Sequence, residues 1–281
     1  MSRPGTATAL HAACGLALVG AVGIHLHHLL TGYQAFWVGV TVLMTVFCVC
    51  SSTLLMGVRA TAAFVVFGVV LGFFFEALSI RTGFPFGPYY YTDVFGPRLF
   101  TVPYIIPLAW YVIVYLSYVL ANLMVQWRPV AVVPGGQGVL IAIIGAAIVT
   151  AYDLALDPFM VRKVGAWVMI NPGNYFGEQF RGFAGWMLVA FTISWLFRTT
   201  HQRMASSPPA RITTLAAAYP LLAYSGWWVF FTFAGYPPGT RPIAAVAMGI
   251  PVAAACAGLL HWRAHESRQE SNHDENRTVR L

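Results

Sequence analysis

The sequence predicts an all-α fold, a polytopic membrane bundle of about eight transmembrane helices. Three observations carry that reading. Hydrophobic residues make up 58% of the 281 and charged residues only 9%, against about 25% charged in soluble proteins. Apolar runs of the length that spans a bilayer, about 20 residues, recur along the whole chain. Polar sequence is confined to short breaks between these runs and to the C-terminal end.

Taken in order, the first run is 7–30, preceded by Arg3. It exceeds a signal-peptide core and lacks a cleavage site, so it is expected to be retained as a helix. Runs 35–57 and 61–80 follow, and the connections around Gly32 to Gln34 and Gly57 to Ala60 are short enough to force antiparallel neighbours. Runs 102–126, 136–156, 182–198, 213–234 and 242–262 complete the set. The sixth is the shortest, and a seven-span arrangement follows if it lies in the interface. Small residues in the first, fifth and eighth runs, Gly15, Gly20, Gly138 and Gly145 among them, allow close helix approach. Residues 1–262 thus form one transmembrane domain. The loop around Ser206, Ser207, Pro208 and Pro209 is polar, and 263–281 reads as a disordered polar tail.

The net charge of +7 comes mostly from arginines at the ends of apolar runs, which reports membrane orientation rather than nucleic acid binding. Eight basic residues flank one side, including Arg59, Arg128 and Arg198, against six on the other, including Arg81, Arg162 and Lys163. That bias places both termini in the cytoplasm of a bacterial-type cell membrane. The cysteines, Cys14, Cys48, Cys50 and Cys256, all fall in apolar runs and suit neither disulfides nor zinc. No phosphate-binding loop follows a strand, and no repeat period is visible.

The stretch 73–110 is the most informative. Glu76 lies inside an apolar run, and the loop after it carries Phe84, Phe86, Tyr89, Tyr90, Tyr91 and Phe95, with Pro85, Pro88, Pro97 and Pro103 preventing a continuous helix. A solvated loop should be polar, so this one reads as a re-entrant or interfacial cap over a lipid-like site. The alternative is an aromatic belt that only anchors helices.

Before the tail there are five acidic residues, Glu76, Asp93, Asp153, Asp157 and Glu178, all near the same membrane face. Intramembrane carboxyl groups are costly and point to function. Asp153 and Asp157 share a helix face, with Pro158 next, and repulsion between them is expected to keep a proton on one. Asp153 is a turn deeper and hence drier, so it is expected to deliver the proton, with Asp157 reloading it. Glu76, held ionised by Arg81, is expected to orient water or tune the pair. The competing reading makes each acid a partner of a rim cation: Glu76 of an arginine, Asp157 of Arg162 or Lys163, Glu178 of Arg181. His25 and His28 share one side of the first helix on that face, but no second histidine cluster accompanies them, so no bound metal or organic cofactor is expected. Asp93, His25, His28 and Glu178 are accessory candidates.

Two stretches resemble a known family. Thr82-Gly83-Phe84-Pro85-Phe86-Gly87-Pro88-Tyr89 with Tyr91-Thr92, Val102-Pro103 and Pro107-Leu108-Ala109-Trp110 form the first, together with Glu76. Asp153-Leu154-Ala155-Leu156-Asp157-Pro158, Trp167, Tyr175-Phe176-Gly177, Phe183 and Gly185-Trp186 form the second. The sequence is similar here to the integral-membrane carotenoid biosynthesis proteins that include the CruF-type carotenoid hydratases. Gln179 and Gly182 stand where the family commonly has Pro and Asn, and Glu178 is unusual at its place. The resemblance implies a hydro-lyase that adds water to the terminal double bond of an acyclic carotenoid end group, giving a tertiary alcohol without a redox cofactor. Protonating such an alkene needs a poorly solvated acid, and aromatic faces can stabilise the resulting cation. Phe84, Phe86, Tyr89, Tyr91, Trp110, Trp167, Tyr175 and Trp186 are the residues expected to bind substrate. A proton-initiated terpenoid cyclase shares the first step, and an isoprenoid or lipid transporter is the alternative outside enzymes. The expected partners are a lipophilic polyene or isoprenoid and membrane lipids, with no nucleic acid; the oligomeric state is left open.

Overall fold

Each apolar run of the sequence is a helix. The computed structural model describes residues 4–32, 36–131, 133, 135–204 and 212–278. In order the helices are α1 (Pro4–Thr31), α2 (Phe36–Met56), α3 (Val58–Thr82), α4 (Ile105–Gln126), α5 (Gly135–Phe159), α6 (Phe180–Met204), α7 (Thr214–Ala234) and α8 (Thr240–Thr278). Only Gly57 separates α2 from α3. Gln34 of the first connection and the polar loop at 206–209 lie outside the described residues.

Seven of the helices are long and apolar enough to cross a membrane, which suggests an integral membrane protein. The sixth run qualifies, as α6. The helix outside the set is α7, whose Tyr219, Pro220, Tyr224, Trp227 and Trp228 dilute its apolar character. α8 continues to Thr278, through most of the stretch where a disordered tail is expected.

The bundle is organised around α4. Its side chains are buried almost throughout, and it packs against α2, α3, α5, α6, α7 and α8. Two of its tyrosines reach α2 through hydroxyl–hydroxyl hydrogen bonds, Tyr115 to Ser51 at 2.7 Å and Tyr111 to Ser52 at 3.0 Å. Within a dry bundle such groups must find protein partners. α3 comes unusually close to α4 because Gly68 and Gly72 face it. A Cβ on Gly72 would lie 2.7 Å from Cβ of Trp110, and one on Gly68 would lie 2.7 Å from Cα of Tyr111.

The two long loops at one end of the bundle are joined by a small antiparallel ribbon that the all-α reading does not contain. β1 (Tyr89–Tyr91) pairs with β4 (Trp167–Met169), with Tyr89 opposite Met169 and Tyr91 opposite Trp167. β2 (Arg98–Leu99) and β3 (Val102–Pro103) form a second pair within the first loop. Side chains alternate along a strand, so Tyr89, Tyr91, Trp167 and Met169 are buried while Tyr90 and Val168 are exposed. Thr92 extends the connection, its amide donating to the Ala166 carbonyl and its hydroxyl to that of Gly165.

The contact at Gly72 yields a prediction. Gly72→Ala overpacks the α3–α4 interface and should cost about 1–3 kcal/mol. Gly226→Ala, at a helical position with no neighbouring atom within 4 Å, should stabilise by roughly 0.5–1 kcal/mol. Thermal unfolding in detergent should therefore move in opposite directions for the two; equal shifts would mean that the interface at Gly72 is not tight.

Candidate functional site

Glu76 lies one helical turn after Gly72 and so points at the same helix, α4. Close approach there sets the indole of Trp110 against it, and Nε1–H donates to Oε1 at 2.8 Å. From β1, the Tyr91 hydroxyl donates to Oε2 at 2.8 Å, and the Tyr89 hydroxyl donates to the same oxygen. Burial first, and then the neighbouring Glu76 charge, push both tyrosines well above their usual range. They therefore keep their protons and act as donors. Three donors on two oxygens make Glu76 a fixed acceptor. Its expected partner, Arg81, is exposed and makes no ion pair with it.

Asp153 and Asp157 sit on the inward face of α5, fully buried and 7% exposed respectively. Both oxygens of Asp153 and Oδ1 of Asp157 are buried without a hydrogen-bond partner among the described residues. The two lie within electrostatic reach of each other, of Glu178 and of Glu76. The rim cations do not pair with Asp157. Arg162 instead donates Nε–H to the Phe176 carbonyl at 2.8 Å, and Lys163 lies over the ring of Tyr236. Pro158 has no N–H for the carbonyl of Leu154 one turn back; the Tyr175 hydroxyl donates to that oxygen at 2.9 Å. Tyr175 is thus tied to the backbone of α5, and burial pushes its hydroxyl up to about 12. The ribbon and this bond hold the second loop over the end of α5, where a π-helical turn, Met160–Val164, follows.

These elements enclose a cavity with about 950 Å³ of empty space when its open mouth is counted. Glu76, Asp157 and Glu178 line its polar end. Aromatic rings surround them: Phe86, Tyr89, Tyr91, Trp110, Trp167 and Trp186 all line the wall. Trp110 stands between two of the others, with ring centroids 4.5 Å from Trp186 and 5.8 Å from Phe86. The aspartate on the cavity wall is Asp157, with Asp153 behind it.

Other expected residues lie elsewhere. Phe84 is 51% exposed, on the outer side of its loop. Tyr175 is spent on Leu154 and does not line the cavity. Asp93 is exposed and pairs with Arg98 at 2.6 Å. His25 bonds the Ala21 carbonyl through Nδ1, and its ring packs edge-on against Phe36, Trp37 and Phe230. His28 stacks on Phe36 at 3.9 Å. Among the described residues no group of three or more His, Cys, Asp or Glu side chains suits a metal ion. Glu178 is buried, and Arg181 turns away from it to donate to the Gly83 carbonyl.

The apolar wall opposite is the part that the sequence reading missed. Trp37, Val40 and Met44 of α2 line it, with Tyr152 of α5 and Trp227 of α7. The spacing of 37, 40 and 44 marks one helix face, but that face is indistinguishable in sequence from an ordinary packing stripe.

Fold and site together define a membrane-helix protein with an acidic, aromatic-lined cavity beneath two loops at one end of the bundle. The chain belongs to the carotenoid biosynthesis protein family, whose profile matches residues 33–259. It is also similar to a bisanhydrobacterioruberin hydratase of Haloarcula japonica, 31% identical over 114 residues. That match covers 40% of this chain and 36% of the relative's length. No solved structure shows a significant match.

The bond to Leu154 can be tested by a double-mutant cycle. Tyr175→Phe leaves the carbonyl without its donor and should cost about 1–3 kcal/mol. In a Pro158→Ala background the restored amide can serve that carbonyl, and the loss should shrink. Unfolding measurements that give strictly additive losses would show that the hydroxyl does not have this role.

Proposed function

We propose that this protein hydrates the terminal double bond of an acyclic carotenoid or related isoprenoid end group, by protonation to a tertiary carbocation and capture of water. The observation that carries the reading is the meeting of Asp157 and Glu76 in a cavity otherwise walled by aromatic and aliphatic side chains. Family membership and the hydratase among its relatives support the substrate class and the reaction type.

In this reading the alkene takes a proton from the carboxyl group of Asp157 at its less substituted carbon, leaving the cation on the carbon that bears the methyl groups. Asp153, within electrostatic reach behind it, disfavours a second negative charge there and so helps to keep that proton in place. This inverts the order expected from depth along the helix, because the cavity reaches Asp157. The rings of Trp110 and Trp186 offer their faces to the cation. Glu76, fixed by its three donors, offers carboxyl oxygens that need no rearrangement as the cation forms. Water adds to the cation, the oxonium loses a proton to a carboxylate, and a tertiary alcohol results with no change of redox state. The polyene would extend along the wall made by Val40, Met44 and Ile113.

Incubation of the purified protein with lycopene and with shorter acyclic isoprenoids tests this directly. A product heavier by one water is the expected outcome. An isomer of the substrate would identify a cyclase, and bound but unchanged substrate a carrier. Asp157→Asn should lower turnover by about 10²-fold or more, the usual contribution of a general acid, with substrate binding retained. Near-normal turnover in that variant would remove Asp157 from the role.

A further inference from the structure

Glu178 has no assigned task in the proton-delivery step, yet it is the carboxyl group nearest the loop side of the cavity. It stands on the second loop rather than on a helix, and its backbone is fixed by pairing with Tyr175, whose carbonyl accepts its amide at 2.8 Å. The side chain is 1% exposed, lines the cavity with Asp157 and Glu76, and holds Oε1 buried without a hydrogen-bond partner among the described residues. On the loop side, next to Gly177, a second hollow is lined by Arg162, Phe176, Tyr236 and Pro237. Gly177, at φ +104°, lets the guanidinium of Arg162 press against the backbone beside Glu178; a Cβ there would meet Nη2 at 2.7 Å.

Both oxygens of Glu76 are already engaged by its three donors. A water that attacks the cation needs an acceptor with a free oxygen, on the side from which water arrives. We propose that Glu178 is the general base of the hydration, accepting a proton from the attacking water as it enters from the hollow at Arg162. This rests on the hydration reading above. The step balances: the water oxygen bonds the cationic carbon, one of its protons passes to Glu178, and Glu178 returns that proton to Asp157, restoring the acid consumed in the first step.

The charged groups around Glu178 are Arg162 from the π-helical turn and Asp157 and Asp153 from α5, with Glu76 of α3 in reach of the aspartates. Arg181 of α6 is turned to Gly83. Burial raises the Glu178 carboxyl to about 7, against the pull of Arg162 in the other direction. The group is protonated below that pH and ionised above it. A base works ionised, so turnover should rise as pH passes upward through about 7.

The test is the pH profile of kcat for the full chain, with lycopene as substrate and the product followed by its gain of one water. Glu178→Gln should remove the rising limb and lower kcat by about 10²-fold. Arg162→Gln, at an exposed position, should move the limb to higher pH, because the cation that favours the ionised form is gone. Glu178→Asp should retain a limb at reduced rate. A limb unchanged in both Glu178→Gln and Arg162→Gln overturns the assignment while hydration itself stands. If the unaltered protein adds no water to any acyclic substrate, the reaction is wrong and the base falls with it.

Discussion

A carboxyl group buried among apolar helices must be given hydrogen-bond donors or it destabilises the fold that holds it. Much of the acid end of this bundle can be read as the way that constraint is met at Glu76. α3 carries Gly72 one turn earlier so that α4 can bring Trp110 within reach. The loop that follows cannot stay helical, because prolines interrupt it, and as a strand it points Tyr89 and Tyr91 inward together. A strand of three residues is not stable alone, so it pairs with β4 and draws the second loop over the same cavity. Satisfying one carboxylate therefore assembles the aromatic wall as well.

The loops are held by side chains that capture backbone groups. The Ser79 hydroxyl accepts from the Phe86 amide and donates to the Gly87 carbonyl, both at 3.2 Å. Arg181 takes the Gly83 carbonyl, Gln179 that of Asn171, and Tyr175 the one that Pro158 leaves free. Each bond removes a backbone group that would otherwise call water into the site. The cap is thereby held by the protein's own bonds, as the proposed hydration, with a transient cation stabilised by orientation, would require.

The helices were legible because hydropathy at bilayer length is a strong and nearly context-free signal, and their ends fell within a few residues of the apolar runs except at the C-terminal ends of α6 and α8, which run on to Met204 and Thr278. Glu76, Asp153 and Asp157 were legible as candidates for a similar reason: a charge inside an apolar run stands out. What lay beyond reach was pairing between distant segments. Nothing local in Tyr89-Tyr90-Tyr91 or Trp167-Val168-Met169 announces that they meet. Without that register, Phe84 and Tyr89 look alike as loop aromatics, although one faces out and the other bonds Glu76. The same gap misdirected the ion pairs. Arg81 and Arg181 are the cations near Glu76 and Glu178 in sequence, but one stays exposed and the other is taken by a carbonyl.

Charge is distributed unequally between the two ends of the bundle, and this bears on the chemistry. Arg198 of α6 is 2% exposed, donates to Oδ1 of Asn122 at 2.7 Å and to the Ala131 carbonyl at 3.3 Å, and lies over the ring of Tyr118. Gly182 of the same helix lines the cavity, so Arg198 is roughly 24 Å away along α6 at 1.5 Å per residue. The buried guanidinium is thus met by neutral acceptors at one end, while the aspartates at the other are left to one another. A guanidinium beside Asp153 and Asp157 would bind them as carboxylates and take away the proton that the proposed hydration needs. Arg162 presses instead against the backbone at Gly177, beside Glu178, and favours the ionised form of the carboxyl group proposed to act as base.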